Sequence, residues 1–79
     1  MENQLNNLRK QIDKIDESIV SLLAKRMETV KKVGRFKKKK NIPTLDKLRW
    51  QKVIKSKRGF VKKIWKVIHK EALKVEKSV

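Results

Sequence analysis

The chain has 79 residues, which limits it to one domain. The core of so small a domain needs a cross-link, a bound metal or a partner chain to be stable. It has no cysteine and one histidine, His69, which excludes a disulfide, a thiolate-bound metal and a zinc site. The net charge of +16, from 24 Lys and Arg against 8 Asp and Glu, favours an anionic partner such as a nucleic acid, an acidic membrane or a small acidic substrate.

The N-terminus, from Met1 to Gln4, has no basic stretch followed by an apolar one, so we expect no signal peptide. No run of about 18 apolar residues is present, as a membrane span would require. These features predict a cytoplasmic protein without a membrane segment.

The first predicted element is a long helix over about residues 4–39. Its apolar residues recur at spacings of three and four, which marks one side of a helix. They are Leu5, Leu8, Ile12, Ile15, Ile19, Leu22, Val30 and Val33. At a rise of about 1.5 Å per residue the helix would be ~54 Å long, more than two short helices can cover. A second copy lying along it would bury the rest, which predicts an intertwined homodimer.

A second, shorter helix is predicted over about residues 45–57. The segment 41–44, which contains Pro43, separates it from the first helix. Thr44 is its predicted N-cap, and Gly59 is predicted to end it from the C′ position.

The third predicted helix runs from about residue 60 to residue 77. Its apolar side carries Phe60, Val61, Ile64, Trp65, Val67, Ile68, Ala72 and Val75, and its other side carries Lys62, Lys63, Lys66, Lys70, Lys74 and Lys77. Strand patterns are hard to find. The sequence therefore predicts an all-α protein, a three-helix protomer that forms a single domain over residues 1–79.

Two cations interrupt the apolar side of the first helix. Arg26 follows Leu22 by four residues and Lys37 follows Val33 by four, so each stands where the pattern predicts an apolar residue. Because a buried cation needs an anionic partner, we interpret the pair as a site for a bound anion. The alternative is that both side chains reach solvent from the edge of the apolar side, and the basic run 38–40 favours it for Lys37.

The shorter helices add weaker candidates. Asp46, Arg49 and Trp50 share one face of the second helix. Taken alone, Asp46 and Arg49 are best explained as a surface ion pair. Ala72 and Glu76 lie on or beside the apolar side of the third helix, where Glu76 alone is best explained as part of a frayed end.

Five short elements resemble the all-helical chorismate mutases. They are LRKQIDKID at residues 8–16, LLAKR at 22–26, VGRFK at 33–37, Pro43, and DKLR at 46–49. Order and spacing match that family from about residue 5 to residue 49, and the third helix matches more loosely. The resemblance implies an entwined dimer of three-helix protomers with two active sites built from both chains. It also implies the Claisen rearrangement of chorismate to prephenate, a step toward phenylalanine and tyrosine, without a cofactor.

The resemblance implies catalytic roles for four residues. Arg9, Arg26 and Lys37 match the cations that bind the carboxylates and the ether oxygen of chorismate. Glu76 falls where the family has Gln or Glu facing the ether oxygen. Since Arg9 and Arg26 are about 26 Å apart along one helix, an antiparallel partner would have to bring its own Arg9 beside Arg26.

Four further residues match substrate-binding positions. Asp46 matches the position whose backbone helps to hold the ring hydroxyl, and Arg49 matches an arginine that lines the pocket. Trp50 stands where many members have a glutamate that binds this hydroxyl, and Ala72 stands where a small hydroxyl residue is common. The connection between the second and third helices is also shorter than in the family.

Two other classes of function stay open. The first class keeps the fold but changes the activity: the chain would be an isochorismate pyruvate-lyase or an inactive regulatory mutase domain. As a basic helical protein, it would bind nucleic acid through the lysines of the third helix and Lys37 to Lys40, which leaves the position of Arg26 unexplained. We therefore expect a small dianionic substrate, and nucleic acid is the less favoured partner.

Overall fold

The computed structural model describes residues 2–79, and all regular structure in this range is helical. The three helices are α1, Glu2–Lys40, α2, Lys47–Lys55, and α3, Phe60–Ser78. The predicted all-α fold with one long N-terminal helix is confirmed. No helix of the described range is long and apolar enough to cross a membrane.

The end of α1 is set by Asn41 rather than by Pro43 alone. Asn41 has a φ of 56°, a left-handed conformation that asparagine tolerates better than most residues. Its amide donates to the carbonyl of Lys38, and the amide of Ile42 donates to the carbonyl of Lys37 at 2.8 Å. These two bonds form a Schellman motif, which satisfies carbonyls that the helix end would leave free.

The caps of α2 differ from the prediction. Asp46, not Thr44, is the N-cap, because its Oδ1 accepts the backbone amide of Arg49 at 3.0 Å. A carboxylate also interacts favourably with the positive end of the helix dipole. At the other end Ser56 is the C-cap, so Gly59 is not at C′. Gly59 instead precedes α3 with φ 59° and ψ −140°, a conformation that residues with a Cβ avoid.

Packing between α1 and α3 provides the core. Ile68 and Ala72 of α3 are buried, as is Gly34 of α1. A Cβ at Gly34 would lie 2.7 Å from Val79 Cγ2 and 2.9 Å from Glu76 Cα. Glycine therefore lets the C-terminal turns of α3 approach the backbone of α1, and this contact fixes where Glu76 lies.

The protomer is elongated. Its principal extents are 58 × 24 × 14 Å and its radius of gyration is 16.7 Å, against about 12 Å for a compact chain of this length. Its accessible surface of 7130 Å² exceeds the ~5000 Å² expected for a compact 9.4 kDa monomer. Residues 2–22 of α1 are exposed along their whole length.

Candidate active site

One groove between the three helices gathers seven of the eight site residues proposed from the sequence. It has a volume of about 180 Å³ and is open on one side. The seven are Arg26, Lys37, Asp46, Arg49, Trp50, Ala72 and Glu76. The groove therefore brings together residues that are up to 50 positions apart in the chain.

Arg9 is the residue that the groove does not contain. It is exposed on the N-terminal half of α1, 17 positions before Arg26 on the same helix. At about 1.5 Å per residue the two Cα atoms are ~26 Å apart, so the Arg9 side chain of this copy does not reach the groove.

An ion pair joins α1 to α3 inside the groove. Lys37 Nζ lies 2.7 Å from Glu76 Oε1, and the side chains of Lys37 and Glu76 are 16% and 10% exposed. The same Nζ donates a hydrogen bond of 2.7 Å to the carbonyl of Thr44. Apart from this ion pair, Oε1 has no polar partner among residues 2–79. This pairing corrects two alternative interpretations, a solvated Lys37 and a frayed Glu76.

Arg26 has a buried polar atom that the described residues leave without a partner. Its Nη1 is buried and finds no hydrogen-bond partner among residues 2–79. A buried guanidinium nitrogen without a partner costs free energy, which an anion bound in the groove would recover. The geometry of a guanidinium also suits a carboxylate, because two N–H groups can donate to its two oxygens.

Asp46 contacts Arg49 through the backbone amide of Arg49, not through its side chain. The carboxylate of Asp46 is engaged by the amide of Arg49, and their side chains form no ion pair in the described range. The surface ion pair considered from the sequence is therefore wrong. The cap orients the first turn of α2 so that Arg49 and Trp50 line the groove.

Sequence reasoning gave His69 no role, although it lines the groove. Its ring stacks on that of Trp50, with centroids 3.9 Å apart and planes 13° from parallel. Burial lowers the pKa of His69 below its usual value, and the charge of Arg26 lowers it further, while Glu76 opposes both effects. The available signal was its spacing from Ala72 and Glu76, three and seven residues, which puts all three on one face of α3.

Apolar residues form the rest of the groove wall. Val30 and Val33 come from α1, Val53 from α2 and Leu73 from α3. No cluster of three or more His, Asp or Glu side chains that would hold a metal ion occurs within residues 2–79. The groove thus combines apolar walls with three cations and with the carboxylates of Asp46 and Glu76. Since the cations are in excess, the arrangement suits a small organic anion.

Comparisons with known proteins show which family the chain is similar to. The family model of chorismate mutase type II matches residues 8–77. The chain is 48% identical over 40 residues to a bifunctional chorismate mutase/prephenate dehydratase of Aquifex aeolicus (strain VF5). That match covers 51% of this chain and 11% of the relative, so the chain spans about a tenth of the relative's length. No solved structure matches the chain.

Proposed function

Because the chain belongs to the chorismate mutase type II family, we propose that it converts chorismate to prephenate by a Claisen rearrangement. The observation that carries the proposal is the buried, unpartnered Nη1 of Arg26 in a groove that also holds Lys37 and Arg49. Chorismate bears two carboxylates, which such a groove would bind. We further propose that it acts in the cytoplasm.

The reaction depends on the positioning of the substrate and on the stabilisation of charge more than on reactive side chains. A pericyclic rearrangement uses no nucleophile, so the protein has to hold the enolpyruvyl side chain over the ring. Negative charge develops at the ether oxygen as its bond to the ring breaks, and a fixed cation or hydrogen-bond donor stabilises it. Arg26 would bind one carboxylate. Lys37, on the same helix, would face the ether oxygen together with Glu76.

The second carboxylate requires a cation from outside this protomer. We propose that Arg9 of a second copy supplies it in an antiparallel homodimer. Three observations support this: the groove is open on one side, residues 2–22 are exposed, and the surface exceeds that of a compact monomer by about 2000 Å². Obligate dimers bury surface on this scale.

The decisive experiment is an assay of the purified protein with chorismate. We expect loss of the chorismate absorbance and formation of prephenate, which acid converts to phenylpyruvate. With isochorismate as substrate, release of pyruvate would identify the lyase instead. If neither compound is consumed while the protein is folded and dimeric, the proposed activity is wrong.

A further inference from the structure

His69 and Trp50 form an aromatic wall of the groove that Arg26 also lines. The imidazole lies on the same face of α3 as Ala72, one turn closer to the N-terminus. Ala72 offers no side-chain donor to a ligand. No hydrogen bond from another described side chain engages the imidazole nitrogens, which leaves them available to a ligand in the groove.

We propose that His69 is a second ligand of the carboxylate bound by Arg26, and that its imidazole takes up one proton from solvent when the dianion enters the groove. The identity of this dianion rests on the proposed function. No covalent bond changes in the step, because the proton adds to a ring nitrogen and the resulting N–H donates to a carboxylate oxygen.

The charges around His69 explain why protonation waits for the ligand. Without a ligand, burial lowers the pKa of His69, Glu76 raises it and Arg26 lowers it, and the net lowering favours the neutral ring. A carboxylate placed between the two side chains reverses this balance, because it attracts both cations and satisfies Arg26 Nη1. The remaining charged groups lining the groove are Lys37 from α1, Asp46 and Arg49 around the start of α2, and Glu76 from α3.

Trp50 stabilises the charged form of the ring. It stacks on His69 at 3.9 Å, so a protonated imidazole would lie against the electron-rich face of an indole. Such a cation–π contact is worth about 0.5–1 kcal/mol at exposed sites and more when water is excluded. The tryptophan also keeps the imidazole in one orientation, which reduces the entropy lost on binding.

The test is calorimetry with prephenate, the product of the proposed reaction, which keeps both carboxylates. Binding enthalpies measured in buffers of different ionisation enthalpy give the number of protons taken up per ligand. We expect an uptake of about half a proton or more near pH 7 for the parent protein. His69→Gln should abolish the uptake, because glutamine can still donate a hydrogen bond but does not titrate.

Two controls isolate His69 from other charges. Lys70→Gln removes one exposed cation from the neighbouring position of α3 and should leave the proton uptake unchanged. Glu76→Gln removes the other groove residue of α3 that titrates, and the uptake should persist in it. His69→Gln should weaken prephenate binding about tenfold near pH 6, and parent and variant should converge near pH 8.

The outcomes separate this inference from the proposed function. If the protein converts chorismate but prephenate binds without proton uptake, or with uptake that survives His69→Gln, the inference is wrong and the function stands. If chorismate is not converted but prephenate binding shows uptake that depends on His69, the function is wrong and the inference stands. Absence of prephenate binding to the folded parent protein would overturn the inference.

Discussion

The two halves of α1 carry the same apolar pattern but have different surroundings. Residues 2–22 are exposed along their whole length, whereas residues 23–40 pack one side against α3 and contribute Arg26 and Lys37 to the groove. Leu8 and Ile15 are about half exposed, although their spacing is that of a buried face. An apolar pattern with helical spacing indicates that one face of the helix is buried. The structure shows which part of that face is buried by the same chain.

Charge separates the two halves as well. Residues 2–22 contain four acidic and three basic residues, a net charge of −1, whereas residues 23–40 contain one acidic and nine basic residues, a net charge of +8. The uncovered half is therefore the part of α1 that can approach a highly basic body without strong repulsion. This difference supports a second copy of the chain as the missing cover, which the following predictions test.

The largest effect is expected from a charge in the uncovered half. Ile12→Asp would place a carboxylate in the proposed dimer interface and should cost about 3 kcal/mol or more. The parent protein should sediment at twice 9.4 kDa, whereas the variant should be monomeric and lose most of its helical circular dichroism. Asn6→Asp adds the same charge on the opposite face of α1 and should remain dimeric.

A folded parent monomer at low micromolar concentration would contradict this prediction. It would show that the exposed residues 2–22 need no cover from a second copy. The proposal that Arg9 completes the groove would fall with it, because the arginine of the same chain is too far away.

The next effect compares one arginine from each half. Arg9→Ala and Arg26→Ala should each lower kcat/KM about 100-fold or more, since each removes a guanidinium that binds a substrate carboxylate. Lys10→Ala removes a cation beside Arg9 and should change the rate little.

Mixing the two inactive variants provides the sharper test. A heterodimer would contain one site with both arginines intact, so activity should partly return. If subunits exchange, as shown by mass spectrometry, and activity does not return, the site lies within one chain.

The sequence was sufficient to predict the helices and most residues of the groove. Apolar spacing located α1 and α3, and the interruptions at Arg26 and Lys37 indicated a site, because few residues are as costly to bury as a cation. The family resemblance then related Asp46, Arg49 and Glu76 to them, and the match over residues 8–77 confirms that resemblance. What these residues do in catalysis stays a prediction.

Side-chain partners were harder to predict, because they depend on how the helices pack. Lys37 was expected to need a bound anion, yet it pairs with Glu76, which is 39 positions away. Thr44 and Asp46 are both good N-caps, and the propensity of the residues alone did not decide between them. The stack of Trp50 on His69 requires α2 and α3 to meet, which spacing within either helix does not encode.

A smaller effect is expected in the covered half, at Gly34. Gly34→Ala gains about 1 kcal/mol of helix propensity but places a methyl group within 3.0 Å of the backbone of Glu76. We expect a net loss of about 1–2 kcal/mol in denaturant unfolding and a lower kcat, because the contact displaces Glu76 and with it Lys37, to which Glu76 is paired. Gly59→Ala is the matched control, since its positive φ destabilises the protein without any neighbour within 4 Å and should leave kcat unchanged.

The smallest effect, a few-fold change in kcat, is expected from Glu76→Gln. This variant tests what Glu76 contributes to the reaction in the groove. An ionised Glu76 holds Lys37 and repels the negative charge that develops at the ether oxygen. Glutamine lacks this charge and can donate a hydrogen bond from its amide to the same oxygen, so the variant should show an equal or higher kcat at pH 7. His69, by contrast, should affect KM, which separates the two groups in one set of rate measurements. If the variant instead loses most of its activity at pH 7, then the contribution of Glu76 is to hold Lys37 in place through the ion pair.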